Sequence, residues 1–185
     1  MKHMIFLVAA ASLVAGGLQT KTNSEMKTAT DNAAYAPAAK NPFFSDWNTP
    51  YNIPDFSRIK PEHYMPAFKE GMARQRAEID AIVNNPEAPT FENTILALEY
   101  SGQMLKEVGG VFFNLSECEN SPEMEAIAEE VTPLLSAHGD DIALNARLFA
   151  RIKKVYEKEF SSQHSTLNTE QLRLLEETYT PLKSL

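Results

Sequence analysis

Residues 61–85 read PEHYMPAFKEGMARQRAEIDAIVNN, and the spacing of their apolar side chains decides the fold class. Tyr64, Phe68, Met72, Ile79, Ile82 and Val83 recur with a helical period and would lie on one side of a helix. Pro61 and Pro66 both suit a first helical turn, where a missing backbone donor is tolerated. Asn84-Asn85-Pro86 then stops the helix.

The same period continues toward the C-terminus. Thr90 caps a second helix whose buried face is Phe91, Ile95, Leu98, Leu105, Val108 and Phe112. Gly109-Gly110 falls inside that pattern. Each glycine costs about 1 kcal/mol against alanine in a helix, so the pair predicts a close helix crossing or a bend. Ser121-Pro122 starts a third helix, with Glu123 at the positive end of its dipole and a stripe of Met124, Ile127, Val131, Leu134 and Leu135. Pro133 is expected to kink or split it, and Gly139 to end it or to mark a further break before Asp140-Asp141. Asn145 caps a fourth helix carrying Leu148, Phe149, Ile152, Val155 and Tyr156. Asn168 opens a fifth, with Gln171 as capping-box partner and Leu172, Leu174, Leu175 and Tyr179 on its apolar side. No strand-like alternation, hairpin dipeptide or convincing repeat appears between Pro61 and Leu185. The class is all-α, with short connections that favour antiparallel neighbours.

Toward the N-terminus the pattern changes. Residues 41–60, NPFFSDWNTPYNIPDFSRIK, contain Pro42, Pro50 and Pro54, which forbid a regular helix. Phe43, Phe44, Trp47, Tyr51, Ile53 and Phe56 make the segment an extended strap whose aromatics plug into the helical body. An aromatic binding surface is the functional alternative. Residues 18–40, rich in Thr, Asn, Ala, Ser and Lys, are expected to form a disordered spacer, so that the folded domain occupies 41–185. Residues 1–17, MKHMIFLVAAASLVAGG, have the form of a signal peptide: Lys2, an apolar run from Met4 to Val14, then Ala15, Gly16 and Gly17. The run is shorter than the ~20 residues of a bilayer span, which disfavours an uncleaved anchor and leaves no stable membrane span after cleavage.

Seventeen basic against twenty-five acidic residues give a net charge of −8, with no Lys/Arg block. Nucleic acid is therefore excluded as a partner, and cationic attachment to membrane surfaces is disfavoured. Cys118 is the only cysteine, which rules out an intramolecular disulfide and a cysteine metal cage. Its neighbours Glu117 and Glu119 are a poor setting for a thiolate nucleophile. His3, His63, His138 and His164 are far apart, with no pair at the spacing of a helical metal site. Glu123, Glu125, Glu129 and Glu130, like Asp140 and Asp141, fall opposite apolar stripes and are read as a solvated face. Glu62-His63 reverses the His-Glu order that opens a zinc-peptidase motif. A Gly-rich phosphate loop and a Gly-x-Ser-x-Gly elbow are absent too. No catalytic, cofactor-binding or metal-ligating residue is assigned.

Longer runs carry a resemblance. Asn41-Pro42, Pro50-Tyr51, the run from Ile59 to Phe68, the run from Asn85 to Ile95, Val111 to Leu115, Pro133 to His138, Leu144-Asn145 and Glu170 to Glu176 together resemble the N-terminal region of bacterial peptidyl-dipeptidases. These are thimet-oligopeptidase-like zinc metallopeptidases. The resemblance implies a two-lobed, mostly helical molecule with a deep channel. Its zinc would be held by a His-Glu-x-x-His helix and a downstream Glu, and its substrates would be short unstructured peptides that lose C-terminal dipeptides. It also implies export to the bacterial periplasm for a chain with such a leader. No His-Glu-x-x-His occurs in the 185 residues. The chain is accordingly expected to be an incomplete peptidase, lacking the C-terminal catalytic region and any cofactor of its own, and inactive alone. His63 and His138 are taken as architectural. The alternative is a stand-alone secreted helical module that binds a peptide or a protein.

Overall fold

The extended Lys60 turns into α1 (Pro61–Asn84) through a local cap: the backbone N–H of Lys60 donates to His63 Nδ1 at 3.0 Å, and that of His63 donates to the Lys60 carbonyl at 2.9 Å. The structure, a computed structural model, describes residues 41–118, 121–161 and 165–183. The expected signal peptide and spacer, with His3, Glu119 and His164, lie outside the described residues. α1 buries Tyr64, Phe68, Met72, Ile79, Ile82 and Val83, the stripe read from the spacing, together with Ala67 and Gly71. Pro66 is the sixth residue of α1, past the first turn expected for it, and so leaves the Glu62 carbonyl without its helical donor. At the far end the last carbonyls need donors, and α5 (Ala146–Ser161) supplies them. Arg147 Nη2 reaches the Val83 carbonyl at 3.1 Å, and Arg151 Nη1 reaches that of Asn85 at 2.9 Å.

The segment after Thr90 departs from the expected single helix. Thr90 does cap it: Oγ1 accepts from the Asn93 N–H at 3.2 Å while Asn93 Oδ1 accepts from the Thr90 N–H at 2.8 Å. The first turn, Phe91–Leu96, is a wide π-helical turn, and only Ala97–Glu99 (α2) follows before the chain breaks. Gly102 takes φ +69°, a conformation glycine adopts freely, and ends the helix. A new helix, α3 (Gln103–Cys118), carries Val108 and Phe112.

Two breaks expected from the sequence do not occur. α4 (Pro122–Ala143), capped by Ser121, runs through both Pro133 and Gly139. Both residues are exposed, so the bond that Pro133 removes faces solvent. Gly109-Gly110 marks no close crossing either: nothing lies within 4 Å of a Cβ built at Gly110. The close approach is at Gly71, where a Cβ would stand 3.1 Å from the Leu105 Cα. α6 (Thr169–Lys183) begins with the expected box, Asn168 Oδ1 accepting from the Gln171 N–H at 3.0 Å and Gln171 Oε1 from the Asn168 N–H at 2.9 Å.

All long elements among the described residues are helices. α1 runs past two separate cores. Its first half meets α3, α4 and the strap in an aromatic core built on Phe43, Trp47, Tyr64, Phe68 and Phe112. Its second half meets α5 in a mainly aliphatic core, completed by the π turn and α6, of Ile79, Ile82, Ile95, Leu148, Ile152, Val155 and Leu175. The strap fulfils only half of its expectation. Phe43 and Trp47 are buried, Trp47 Nε1–H donates to Glu107, and Asn41 Nδ2 donates to the His63 carbonyl at 2.8 Å. Tyr51, Ile53 and Phe56 stay exposed, Tyr51 at 96% of its surface. Tyr51 also has φ +61°, an uncommon backbone for a bulky residue.

Candidate functional site

Between the two cores α1 presents a polar side chain. Gln75 lies between Met72 and Ile79, level with the start of α3 and with the second half of α4. Its amide nitrogen donates to Ser101 Oγ at 3.3 Å, and Ser101 Oγ–H passes on to the Leu98 carbonyl at 2.8 Å. Its amide oxygen is 2.8 Å from His138 Nε2, which must therefore be the protonated ring nitrogen in that bond. Glu78, one turn along α1, accepts from the Gly102 N–H at 2.7 Å. A Cβ on Gly102 would stand 2.5 Å from the Gln75 amide, so glycine also leaves room for this network.

His138 is 3% exposed, and its Nδ1 is buried with no hydrogen-bond partner in the protein. Burial holds the imidazole below its ordinary value, Arg76 pushes in the same direction, and Asp141 opposes them. Burial likewise raises the phenol of Tyr64 in the aromatic core. The seam can position a neutral imidazole and relay hydrogen bonds. Its Ser101 hydroxyl donates to the Leu98 carbonyl, and the imidazole bonds to Gln75 instead.

The other singled-out residues are scattered. His63 caps α1 with its ring. Cys118 is a free, exposed thiol at the end of α3. Glu123, Glu125, Glu129 and Glu130 are exposed along α4, Glu130 lying 3.5 Å from Lys69, and Asp140 and Asp141 are exposed as well. Among the described residues no three His, Cys, Asp or Glu side chains converge as a metal site would require. A shallow hollow of about 460 Å³ runs between Pro54 and Phe56 of the strap and Gly110, Val111 and Leu115 of α3. Among the described residues no helix is long and apolar enough to cross a membrane. The reading from residues alone overlooked Gln75, Ser101, Arg147 and Arg151. The available signal was a polar residue at a helical position where the stripe called for an apolar one.

No family model matches the chain. A dipeptidyl carboxypeptidase of Salmonella typhimurium is 44% identical over 137 residues, which is 74% of this chain and 20% of that protein. A dipeptidyl carboxypeptidase of Escherichia coli is 43% identical over 136 residues, with the same coverage of 74% and 20%. Oligopeptidase A of Salmonella typhimurium is 27% identical over 128 residues, 69% of this chain and 18% of that protein. The chain thus spans only 20% of the length of the dipeptidyl carboxypeptidases it matches. Over that stretch the chain is similar to the dipeptidyl carboxypeptidases and oligopeptidase A, consistent with a peptidyl-dipeptidase or thimet-oligopeptidase-like region.

Proposed function

We propose that this chain is the N-terminal helical part of a zinc peptidyl-dipeptidase, exported to the bacterial periplasm, that releases C-terminal dipeptides from short unstructured peptides. In this reading residues 41–185 form a wall of the substrate channel and supply no catalytic group. The zinc and its His-Glu-x-x-His helix belong to a C-terminal catalytic region. The residues described here do not fit the metal: His63 is spent on a helix cap, His138 is buried against Gln75, and no third donor approaches either. The observation that carries the reading is the 44% identity to a dipeptidyl carboxypeptidase over 137 residues. Two measurements test it. The purified 185-residue chain is expected to bind no zinc at one-to-one stoichiometry and to release no dipeptide from short peptides. DNA downstream of the Leu185 codon is expected to encode His-Glu-x-x-His in frame. Tight stoichiometric zinc, or dipeptide release by the chain alone, overturns the reading.

One observation favours a second reading, a stand-alone secreted module that binds a peptide or a protein. Both cores are closed by elements of this chain. A monomer with one cooperative unfolding transition would support it, whereas aggregation or molten behaviour would count against it.

A further inference from the structure

We propose that His138 is an acid-sensitive latch, joining α4 to α1 across the seam between the aromatic and aliphatic cores and releasing them when its ring takes up a second proton. α4 bridges the two cores. Met124, Val131 and Leu135 serve the aromatic one and Ile142 the aliphatic one, and His138 is the only fully buried residue of the helix beyond Val131. It sits seven residues after Val131, on the same helical face. α1 spans the same two cores, and Gln75 meets His138 where α1 crosses between them. The two side chains therefore form the buried polar joint of two helices that otherwise meet through apolar contacts and the exposed Lys69–Glu130 pair.

In the neutral ring the bond to Gln75 uses the only N–H, and the partnerless Nδ1 is an acceptor, the less costly state for a buried nitrogen. Protonation turns Nδ1 into a charged donor with no protein acceptor, in a site removed from water. The surrounding charges do little to help. Arg76 on α1 repels an imidazolium, and Asp141 on α4 attracts it from an exposed position. Glu78 already receives the Gly102 N–H, and Gln75 and Ser101 are neutral and engaged with each other. Opening the joint exposes the ring to water and relieves the cost, while Met124 and Val131 keep the first half of α4 anchored. The sign follows from linkage. The folded-state value lies below the unfolded one, so the unfolded or opened chain binds the proton first. The stabilisation is complete above the ordinary imidazole range and is lost as pH falls through that range toward the folded-state value. This inference stands whether or not the peptidase reading holds.

The test uses the 185-residue chain. Its denaturation midpoint in urea is expected to fall between about pH 8 and about pH 5, across the imidazole range. Amide exchange, corrected for its intrinsic pH dependence, is expected to accelerate at the acid end first in residues 135–143, with the amides around Phe112 still protected. His138→Gln keeps a donor toward Gln75 and removes the titration, so its midpoint should vary less with pH. Arg76→Gln should narrow the loss, because it lets the folded ring titrate closer to its ordinary value. An NMR titration of the unaltered chain gives an answer even where a variant fails to fold: the His138 ring should protonate below the ordinary range of a free imidazole. The proposal is overturned if His138 titrates within the ordinary range of a free imidazole, if His138→Gln keeps the full acid loss, or if exchange accelerates evenly along the chain.

Discussion

The two ends of α1 bury their surfaces with different materials. At the N-terminal end, rings meet edge to face: Phe43 with Trp47 at 5.4 Å, Tyr64 with Phe112 at 5.0 Å, and Phe68 with Phe112 at 5.4 Å. At the C-terminal end, Ile79, Ile82, Ile95, Leu148, Ile152 and Leu175 interdigitate, and stacked rings of Tyr156 and Tyr179 lie 4.1 Å apart beside them. The aromatic core also recruits the strap, which has no regular helix of its own and is held by Trp47 and Asn41. The aliphatic core is fastened from outside by Arg147 and Arg151. Ring geometry adds specificity beyond buried area, whereas branched aliphatics rely on volume alone. The aromatic end should therefore tolerate truncation less well.

The largest effect tests that difference directly. Phe112 is fully buried and shares rings with Tyr64, Phe68 and Phe113, so Phe112→Ala is expected to cost about 3–5 kcal/mol. Ile152, equally buried in the other core, should lose about 2–5 kcal/mol as Ile152→Ala, and less than the ring does. Urea denaturation of both variants decides the comparison. Equal losses would mean that edge-to-face contact adds nothing to burial here.

A smaller effect concerns how closely α1 and α3 approach on the aromatic side. At Gly71 an added methyl would meet the Leu105 Cα at 3.1 Å and its Cβ at 3.2 Å, and backbone cannot move aside as a side-chain tip can. Gly71→Ala is expected to destabilise by about 1–3 kcal/mol, as overpacking does, despite the better helix propensity of alanine. A neutral or stabilising result in thermal unfolding would show that the two helices can separate freely. The aromatic core would then be looser than its ring contacts imply.

Much of this arrangement was legible in the sequence. Apolar spacing placed the buried face of α1 residue by residue, and the caps at Ser121, Asn145 and Asn168 opened the helices expected of them, whereas Thr90 caps a π turn in place of the expected long helix. The break at Gly102 was hidden because the apolar period of Phe91, Ile95, Leu98 and Leu105 runs across it, both sides of the break facing α1. Pro133 and Gly139 misled in the opposite direction. A breaker's effect depends on whether its backbone faces water, and residue type does not report that. Tyr51, Ile53 and Phe56 have the composition of plugs, yet only tertiary packing decides which aromatics of a strap are covered. The seam was the least legible. His138 follows Val131 by seven residues and so belonged to a buried face, but its partner Gln75 is 63 positions away, and packing alone brings the two together.

The smallest expected effect has the opposite sign. Gly109 and Gly110 lie together in α3, where helix propensity disfavours both, and the simplest reading of such a pair is that a neighbour needs the room. The structure separates them. A Cβ on Gly109 would touch Phe113 and Phe68 at 4.0 Å, ordinary contact at the edge of the aromatic core, whereas a Cβ on Gly110 would meet nothing within 4 Å. Neither glycine has a positive φ, so alanine fits the backbone at both. Gly110→Ala is therefore expected to stabilise the chain by about 0.5–1 kcal/mol, the ordinary gain from restricting the unfolded state and favouring helix. Because Gly110 also borders the hollow between strap and α3, the same variant reports on that surface. Stabilisation would mean that the aromatic end keeps this glycine for a reason other than its own stability. Destabilisation would show that the strap, with Phe56 opposite, closes on α3 more tightly than its exposure indicates.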